Sequence, residues 1–128
     1  MDPLSNMLIA IKNGSRAGRE SIDLPFSAFS HTVAECLVRA GFLKSTAKKM
    51  RHDLPILVLT LAYNDKIPKV SEVKRISKLS RRIYRGVKEL HPVRSGLGSI
   101  VLSTPKGVLT GDEARKEHVG GEVLFEIW

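Results

Sequence analysis

Residue types that often carry out catalysis are present, but their setting does not favour an enzyme. Ser103, Asp112 and His118 are the members of a nominal Ser-His-Asp triad. However, Ser103 does not lie in the pattern of a nucleophile elbow, and no neighbouring group is predicted to orient His118. Chance co-occurrence explains these residues better than a hydrolase site. We therefore predict that the chain is not an enzyme and has no catalytic residues.

Metal and cofactor sites are not predicted either. The histidines are scattered without the spacing of metal ligands: His31, His52, His91 and His118. Cys36 is the single cysteine, which excludes an internal disulfide, and its position on a predicted helix favours a buried structural thiol. Gly96-Leu97-Gly98 lacks the third glycine of a dinucleotide site, and the sequence has no Walker loop. We expect no cofactor.

The positive charge is concentrated in the middle of the chain. Against 13 acidic side chains there are 21 basic ones, which gives a net charge of +8. Residues 66–94 carry 10 basic and 2 acidic side chains, whereas residues 1–65 carry 8 and 6, and residues 95–128 carry 3 and 5. Such a distribution predicts one basic face. On charge alone, nucleic-acid binding and a merely solvated basic surface both remain open.

The basic block contains a predicted hairpin with groups that suit a nucleic acid. Residues 70–76 and 82–87 are predicted strands in which apolar residues are spaced among cations. The cations that can neutralise phosphates are Lys74, Arg75, Lys78, Arg81, Arg82 and Arg85. Tyr84, within the sequence RRIYR, can stack on a base or pair with a ribose hydroxyl. A half-buried strand aromatic is an equally good interpretation of Tyr84.

A second candidate is the loop of residues 103–107, which directly follows a predicted strand. Ser103 and Thr104 supply small hydroxyls that can reach sugar hydroxyls and base edges in the shallow minor groove of RNA. Lys106 can bind a phosphate. Taken alone, such a segment is more often an ordinary turn stabilised by Ser/Thr side chains.

The first half of the chain predicts helix, strand, helix, strand, strand. Asp2-Pro3 is typical of a helix start, and Asn13-Gly14 of its end. Residues 21–24 predict a short strand before Pro25. A second helix is predicted to begin near Ser27 or Ser30, to end at Gly41, and to bury Phe29, Val33, Leu37 and Ala40. A basic turn is predicted through Lys48, Lys49, Arg51 and His52, followed by a central strand over 55–63.

The second half predicts short strands and one short helix. The segment from His91-Pro92 to Gly98 is predicted as a loop, residues 100–102 as a strand, and residues 123–128 as the final strand. Thr110 or Asp112 can cap a helix over 112–118. The whole pattern predicts an α+β fold of two small lobes, each with short helices on a mostly antiparallel sheet. The predicted lobes are residues 1–65 and 66–128.

Targeting signals are not evident in the sequence. No apolar run approaches the roughly 20 residues that span a bilayer, and the start MDPLSNML does not resemble a signal peptide. The single cysteine agrees with a reducing compartment. We expect a cytoplasmic protein that does not interact with a membrane.

The motifs resemble those of the bacterial small-subunit ribosomal protein eight family along nearly the whole chain. DPLSNMLIAIKNG is similar to the family's opening helix, DPIADMLTRIRNA, and VKRISKLSRRIY to its basic hairpin. The most specific part is GLGSIVLSTPKGVLT with EAR and GGEVL, which is similar to the family's C-terminal signature.

The resemblance implies two α+β lobes and binding to the central domain of small-subunit ribosomal RNA early in assembly. It also implies neighbouring small-subunit ribosomal proteins as partners, and repression of the family's own operon by binding its messenger RNA. The C-terminal lobe is expected to supply most RNA contacts. The residues implied by the motifs are Ser103, Thr104, Lys106, Gly107, Tyr84, Gly121, Glu122 and, at the end of the first helix, Lys12 and Asn13. The basic-hairpin residues Arg81 and Arg82 join this set.

Four departures from the family pattern bear on the site. Pro105 replaces the second serine of STSKG, which removes a hydroxyl and an amide donor, so that particular base contact does not carry over. SKLS, with Ser80, replaces SKPG in the hairpin turn. Ser99 follows GLG in place of an apolar residue, and TGDEAR replaces TDREAR.

The predicted function is structural ribosomal RNA binding, with residues 66–94 and 103–107 on one face. The alternative is an interaction module whose basic face meets an acidic partner or messenger RNA.

Overall fold

The chain has an α+β fold, as the sequence predicts. A computed structural model describes residues 2–78, 80–91 and 98–128. The helices are α1 (Pro3–Arg16), α2 (Ala28–Arg39) and α3 (Gly111–Glu117), with a short 3-10 helix at Val87–Glu89. The strands are β1 (Ser21–Pro25), β2 (Leu43–Arg51), β3 (Leu54–Leu61), β4 (Tyr63–Asn64), β5 (Ile67–Pro68), β6 (Val73–Arg75), β7 (Tyr84–Arg85), β8 (Ser99–Thr104), β9 (Gly107–Thr110) and β10 (Gly121–Ile127).

Two compact units divide the chain at residues 1–71 and 72–128. The boundary falls later than the predicted one at residues 65 and 66. The reason is the small β4–β5 hairpin, in which Tyr63 pairs with Pro68. The Lys69 amide also donates a hydrogen bond to the Ala62 carbonyl, at 3.0 Å. These local bonds keep the residues just after 65 in the first unit.

Helix α1 begins where the sequence predicts and ends later. Asp2 is the N-cap, since its carboxylate accepts a hydrogen bond from the Ser5 amide at 2.9 Å. The predicted end at Asn13-Gly14 is wrong, because the helix continues to Arg16. Gly14 packs closely instead: a Cβ there would lie 2.8 Å from Ile22 Cγ2. The left-handed residue beyond the helix is Gly18, with φ +70°.

Helix α2 confirms the Ser27 cap but not the whole predicted buried face. The Ser27 hydroxyl accepts a hydrogen bond from the Ser30 amide at 3.1 Å, and Gly41 is left-handed at the other end. Phe29, predicted to be buried, is 44% exposed, and Ala40, also predicted to be buried, is the half-buried C-cap of the helix. The buried side chains of the helix are Ser30, Val33, Ala34, Cys36 and Leu37. Cys36 is therefore a core thiol, as predicted.

The first unit is built on a three-stranded antiparallel sheet in the order β1-β3-β2. Strand β3 is central, and its alternate residues Leu57, Leu59 and Leu61 are buried. The predicted basic turn through Lys48 and Arg51 is wrong. Those residues lie in β2, where Lys48 pairs with Leu57 and Arg51 with Leu54. The turn itself is at His52-Asp53, two residues with positive φ that suit a tight hairpin.

The second unit is built around β10, which pairs with three other strands. Strand β8 lies along one side of β10, and β9 lies beyond β8. On the other side, β6 pairs with β10 at Val73↔Ile127, and β7 pairs with it at Tyr84↔Glu122. The predicted basic hairpin is therefore wrong: β6 and β7 are successive segments of one edge, both antiparallel to β10. Between them, residues 78 and 80–82 leave the edge as a loop, here called the basic loop.

Ser77 closes the base of the basic loop. Its hydroxyl accepts a hydrogen bond from the Ile83 amide at 2.9 Å and donates one to the Ile83 carbonyl at 3.2 Å. The Ser77 side chain is fully buried. Within the loop, Lys78 and Arg81 exchange two backbone hydrogen bonds, of 2.9 and 3.0 Å. The loop is thus a closed, hydrogen-bonded excursion from the sheet edge.

Helix α3 covers one face of the second sheet. Thr110 is its N-cap and forms a capping box with Glu113, so the alternative cap at Asp112 is wrong. Ala114 of α3 packs in a cluster of buried side chains with Leu90, Ile100, Leu102 and Val123. These apolar contacts fix the helix against β8 and β10.

Close approach of strands requires glycine at the start of β10. A Cβ on Gly121 would lie 2.1 Å from the Ser103 carbonyl oxygen, and one on Gly120 would lie 2.3 Å from the Arg85 carbonyl oxygen. Real side chains do not tolerate such distances from backbone atoms. The Gly-Gly pair therefore lets β7 and β8 converge on one end of β10.

No helix in the described part of the chain is long and apolar enough to cross a membrane. Within the same residues, no group of three or more His, Cys, Asp or Glu side chains is placed to hold a metal ion.

Gly121→Ala is expected to destabilise the protein by roughly 1–3 kcal/mol, because the methyl group forces β8 away from β10. Gly86→Ala is the matched control. Its Cβ would meet only Glu89 Oε1, at 3.5 Å, and its backbone suits alanine. That control should be neutral or stabilising by about 0.4–1 kcal/mol. Urea unfolding of both variants measures the difference, and equal stabilities would contradict the packing argument.

Candidate nucleic-acid interface

Three of the predicted binding residues lie in one row across the second sheet. Glu122 of β10 pairs with Tyr84 of β7 on one side and with Ser103 of β8 on the other. Directly paired residues of an antiparallel sheet place their side chains on the same face. Tyr84, Glu122 and Ser103 therefore present a continuous line of polar groups, here called the interface row.

Tyr84 is the most exposed member of the interface row. Its exposed fraction is 68%, so the half-buried strand aromatic considered from sequence is wrong. An exposed aromatic ring at a sheet edge has little role in packing. Its face is available for stacking on a base, which does not depend on the identity of that base.

The two hydroxyls of the loop at residues 103–107 have different surroundings. The Thr104 hydroxyl donates to the Gly107 carbonyl at 2.7 Å and accepts from the Lys106 amide at 3.1 Å. Its single proton is therefore committed to the turn. Ser103 is half-buried, and within residues 2–78, 80–91 and 98–128 its hydroxyl has no hydrogen-bond partner. Of the two, Ser103 is the better donor toward a ligand.

Pro105 and Lys106 form the tip of this loop. Thr104 pairs with Gly107, whose φ of +111° closes the two-residue turn. The Lys106 ammonium lies 3.2 Å from a carboxylate oxygen of Glu117 at the end of α3. Both side chains are about half exposed, at 53% and 54%. An ion pair this exposed is weak, so Lys106 can exchange Glu117 for a phosphate.

Arg82 and Glu122 form a second ion pair, at the centre of the interface row. Arg82 Nη1 lies 3.1 Å from each of the two carboxylate oxygens of Glu122. The two side chains differ in exposure, since that of Arg82 is 51% exposed and that of Glu122 is only 13% exposed. The carboxylate is thus held largely out of water beneath the guanidinium.

The remaining cations of the basic segment are arranged around the sheet edge. Of the cations predicted to neutralise phosphates, Lys74, Lys78 and Arg81 are exposed as well as Arg82. Arg75 and Arg85 are half-buried, and Arg75 Nε donates to the Ser77 carbonyl. Lys74 lies on the edge strand β6, opposite Glu126 of β10, while Lys78 and Arg81 lie in the basic loop. Such an arrangement attracts a polyanion.

The structure gathers most of the predicted site, but not all of it. Ser103, Thr104, Lys106, Gly107, Tyr84, Arg81, Arg82, Gly121 and Glu122 all lie in the second unit. Lys12 and Asn13 lie on α1 in the first unit, where exposed Asn13 lines a groove of about 560 Å³ beside β1. The basic block of residues 66–94 is also divided, since Lys66 and Lys69 belong to the first unit. Residues 92–94, and the rest of the predicted loop to residue 97, lie outside the described residues.

Several residues that shape the interface were not predicted from the sequence. Ser77 closes the basic loop and Glu117 pairs with Lys106. Gly121 was predicted to contact RNA, but its position next to the Ser103 backbone gives it a packing role. A single serine after an isoleucine carries no sequence signal of a loop closure. The glycine pair does carry one, because adjacent glycines within a strand indicate close backbone approach.

Comparisons with known proteins identify the family of the chain. A family model described as "Ribosomal protein S8" matches residues 2–128. A relative from Thermus aquaticus, named "Small ribosomal subunit protein uS8", is 42% identical over 99% of this chain and 98% of its own length. Relatives of the same name from Erythrobacter litoralis and Zymomonas mobilis are each 43% identical, over 99% of this chain and 97% of theirs. The chain therefore belongs to the ribosomal protein S8 family.

Proposed function

We propose that the chain is a structural constituent of the small ribosomal subunit that binds folded ribosomal RNA through its second unit. The observation that carries the proposal is the interface row, in which an exposed aromatic ring, a carboxylate that holds Arg82 and a hydroxyl with no partner among the described residues lie side by side. The names of the relatives support the ribosomal setting. As a member of a ribosomal protein family, the chain is not an enzyme.

The parts of the interface have different physical tasks. Lys78, Arg81 and Lys106 supply positive charge near the row, which attracts phosphates and displaces their counterions. Tyr84 offers a stacking surface, and Ser103 a hydrogen bond to a sugar hydroxyl or base edge. Charge draws in any RNA, whereas the fixed spacing of ring and hydroxyl favours one folded shape. The proposed target is thus a folded internal loop rather than a uniform duplex.

The finer identity of the target rests on the motif resemblance. We propose the central domain of small-subunit ribosomal RNA, bound in the cytoplasm beside neighbouring small-subunit proteins. The operon's messenger RNA is proposed as a second ligand of the same interface. A surface that recognises shape binds any RNA that folds into that shape. Competition between the ribosomal and messenger fragments for one site on the protein tests this extension.

An interaction module for an acidic protein is the alternative. Binding an acidic protein requires the positive charge, but it does not require an exposed aromatic ring and a hydroxyl on the same face of the sheet. The presence of Tyr84 and Ser103 in one row therefore favours RNA.

Binding to a folded internal-loop fragment of small-subunit ribosomal RNA is expected to be much tighter than binding to a random duplex of equal length. If about three phosphates are neutralised, a fourfold rise in salt should weaken binding roughly 30-fold. Fluorescence anisotropy at several salt concentrations measures both quantities. Equal affinity for fragment and duplex would refute the proposal.

Tyr84→Ala is expected to weaken binding to the fragment by about 1–3 kcal/mol, because one stacked base loses its platform. Tyr84→Phe separates the ring from the hydroxyl: if stacking dominates, its affinity stays near that of the unchanged protein. Since Tyr84 is exposed, neither change should lower the unfolding midpoint appreciably. An unaltered affinity in Tyr84→Ala would exclude a stacking role.

Ser103→Ala is expected to weaken fragment binding by about 0.5–1.5 kcal/mol without lowering stability, because its hydroxyl is available to the ligand. Thr104→Ala is expected to disturb the loop itself, and Thr104→Ser to restore the turn's hydrogen bonds. Affinity and urea unfolding are measured for all three. If Ser103→Ala binds as tightly as the unchanged protein, the loop is a turn and does not take part in recognition.

A further inference from the structure

We infer that Glu122 is a positioning residue, which holds the Arg82 guanidinium in place for RNA and does not itself contact the RNA backbone. The inference rests on the proposed function and assigns Glu122 a role different from the direct contact implied by the motif resemblance. The contact on which it rests joins Arg82 Nη1 to the two carboxylate oxygens of Glu122, each 3.1 Å away.

The burial of Glu122 makes the pair hard to break. The Glu122 side chain is only 13% exposed. If Arg82 moved away to a phosphate, Glu122 would lose the guanidinium that contacts both of its oxygens, and a partly buried carboxylate is unfavourable without a partner. Arg82 therefore stays with Glu122 when RNA binds. A bare carboxylate in the centre of the interface row would also repel phosphates.

Arg82 can serve both partners at once. A guanidinium carries five N–H donors in a rigid plane, and the Glu122 contact is made through Nη1 alone. The donors on Nη2 and Nε remain for an RNA acceptor, and half of the side chain is exposed to receive one. The backbone of Arg82 is fixed as well, because Ser77 bonds to the next residue, Ile83. Both ends of the arginine are thus held before RNA arrives.

The Lys106–Glu117 pair provides the contrast within the same unit. Its two side chains are similarly exposed, its distance is 3.2 Å, and separating it leaves both groups in water. Glu117 therefore competes weakly with phosphates for Lys106 and positions nothing that RNA needs. The two glutamates are matched in chemistry and differ in burial.

The two neutralising substitutions should consequently have opposite effects on specific binding. Either change, Glu117→Gln or Glu122→Gln, raises the net charge by one and strengthens attraction to any polyanion. For Glu117→Gln, we expect a modest gain, about twofold, for both the folded fragment and a random duplex. For Glu122→Gln, we expect the same gain for the duplex but a roughly tenfold loss for the fragment, because Arg82 is no longer held.

The experiment measures Kd for both RNAs at one salt concentration with the whole chain and four variants: Glu117→Gln, Glu122→Gln, Arg82→Ala and the double variant Arg82→Ala/Glu122→Gln. If Glu122 acts through Arg82, Arg82→Ala loses fragment affinity and adding Glu122→Gln causes no further loss. A Glu122→Gln variant that behaves like Glu117→Gln overturns the inference. So does a double variant whose losses add, since that result indicates an independent contact.

Arg82→Lys keeps the test decisive if Glu122→Gln unfolds. It retains the charge and a partner for Glu122 but lacks the planar set of donors. We expect it to lose fragment affinity nearly as much as Arg82→Ala, with duplex binding unchanged, and full retention of fragment affinity overturns the inference. Failure of the proposed function has a separate signature, because the unchanged protein would then bind fragment and duplex equally.

Discussion

The convergence of two strands, β7 and β8, on one end of β10 is the constraint on which the interface depends. Gly120 and Gly121 have no side chains, so the backbones of residues 85–86 and 103–104 approach β10 more closely than any Cβ would permit. As a result Tyr84 and Ser103 lie on either side of Glu122. The loops that carry the cations are attached to these same strand ends. A packing requirement of the backbone thus sets the spacing of the groups proposed to meet RNA.

Ion pairs, as well as the excess of basic side chains, determine where positive charge is available in the second unit. Arg82, from the segment with the most positive charge, pairs with the largely buried Glu122 of β10, while Lys106 is held only loosely by the exposed Glu117. Both glutamates reduce the net charge, but only Glu122 is a member of the interface row. The strength with which an acidic residue holds a neighbouring cation of a basic surface therefore depends on how much water reaches the pair.

Local features of the fold were predictable from the sequence, and non-local ones were not. Asp2 and Ser27 act as helix caps through atoms three residues away, which sequence patterns record. Gly14 was wrongly taken as a helix end because its close contact with Ile22 involves another element. The basic hairpin was wrong for the same reason: β6 and β7 both pair with β10, which follows much later in the chain, so that Val73 lies opposite Ile127 and Tyr84 opposite Glu122. For the site, motif resemblance supplied the residues. It could not predict that the Thr104 hydroxyl donates its proton to Gly107, or that Arg82 pairs with Glu122, because both facts depend on three-dimensional contacts.

The central claim is that the face bearing the interface row lies against RNA in the assembled small subunit. Replacement of Tyr84 by a photoreactive phenylalanine analogue, followed by irradiation of purified small subunits, tests it directly. We expect a covalent adduct with ribosomal RNA, and sequencing of the adduct identifies the contacted segment. An adduct formed only with a neighbouring protein would contradict it, because Tyr84 would then face a protein partner.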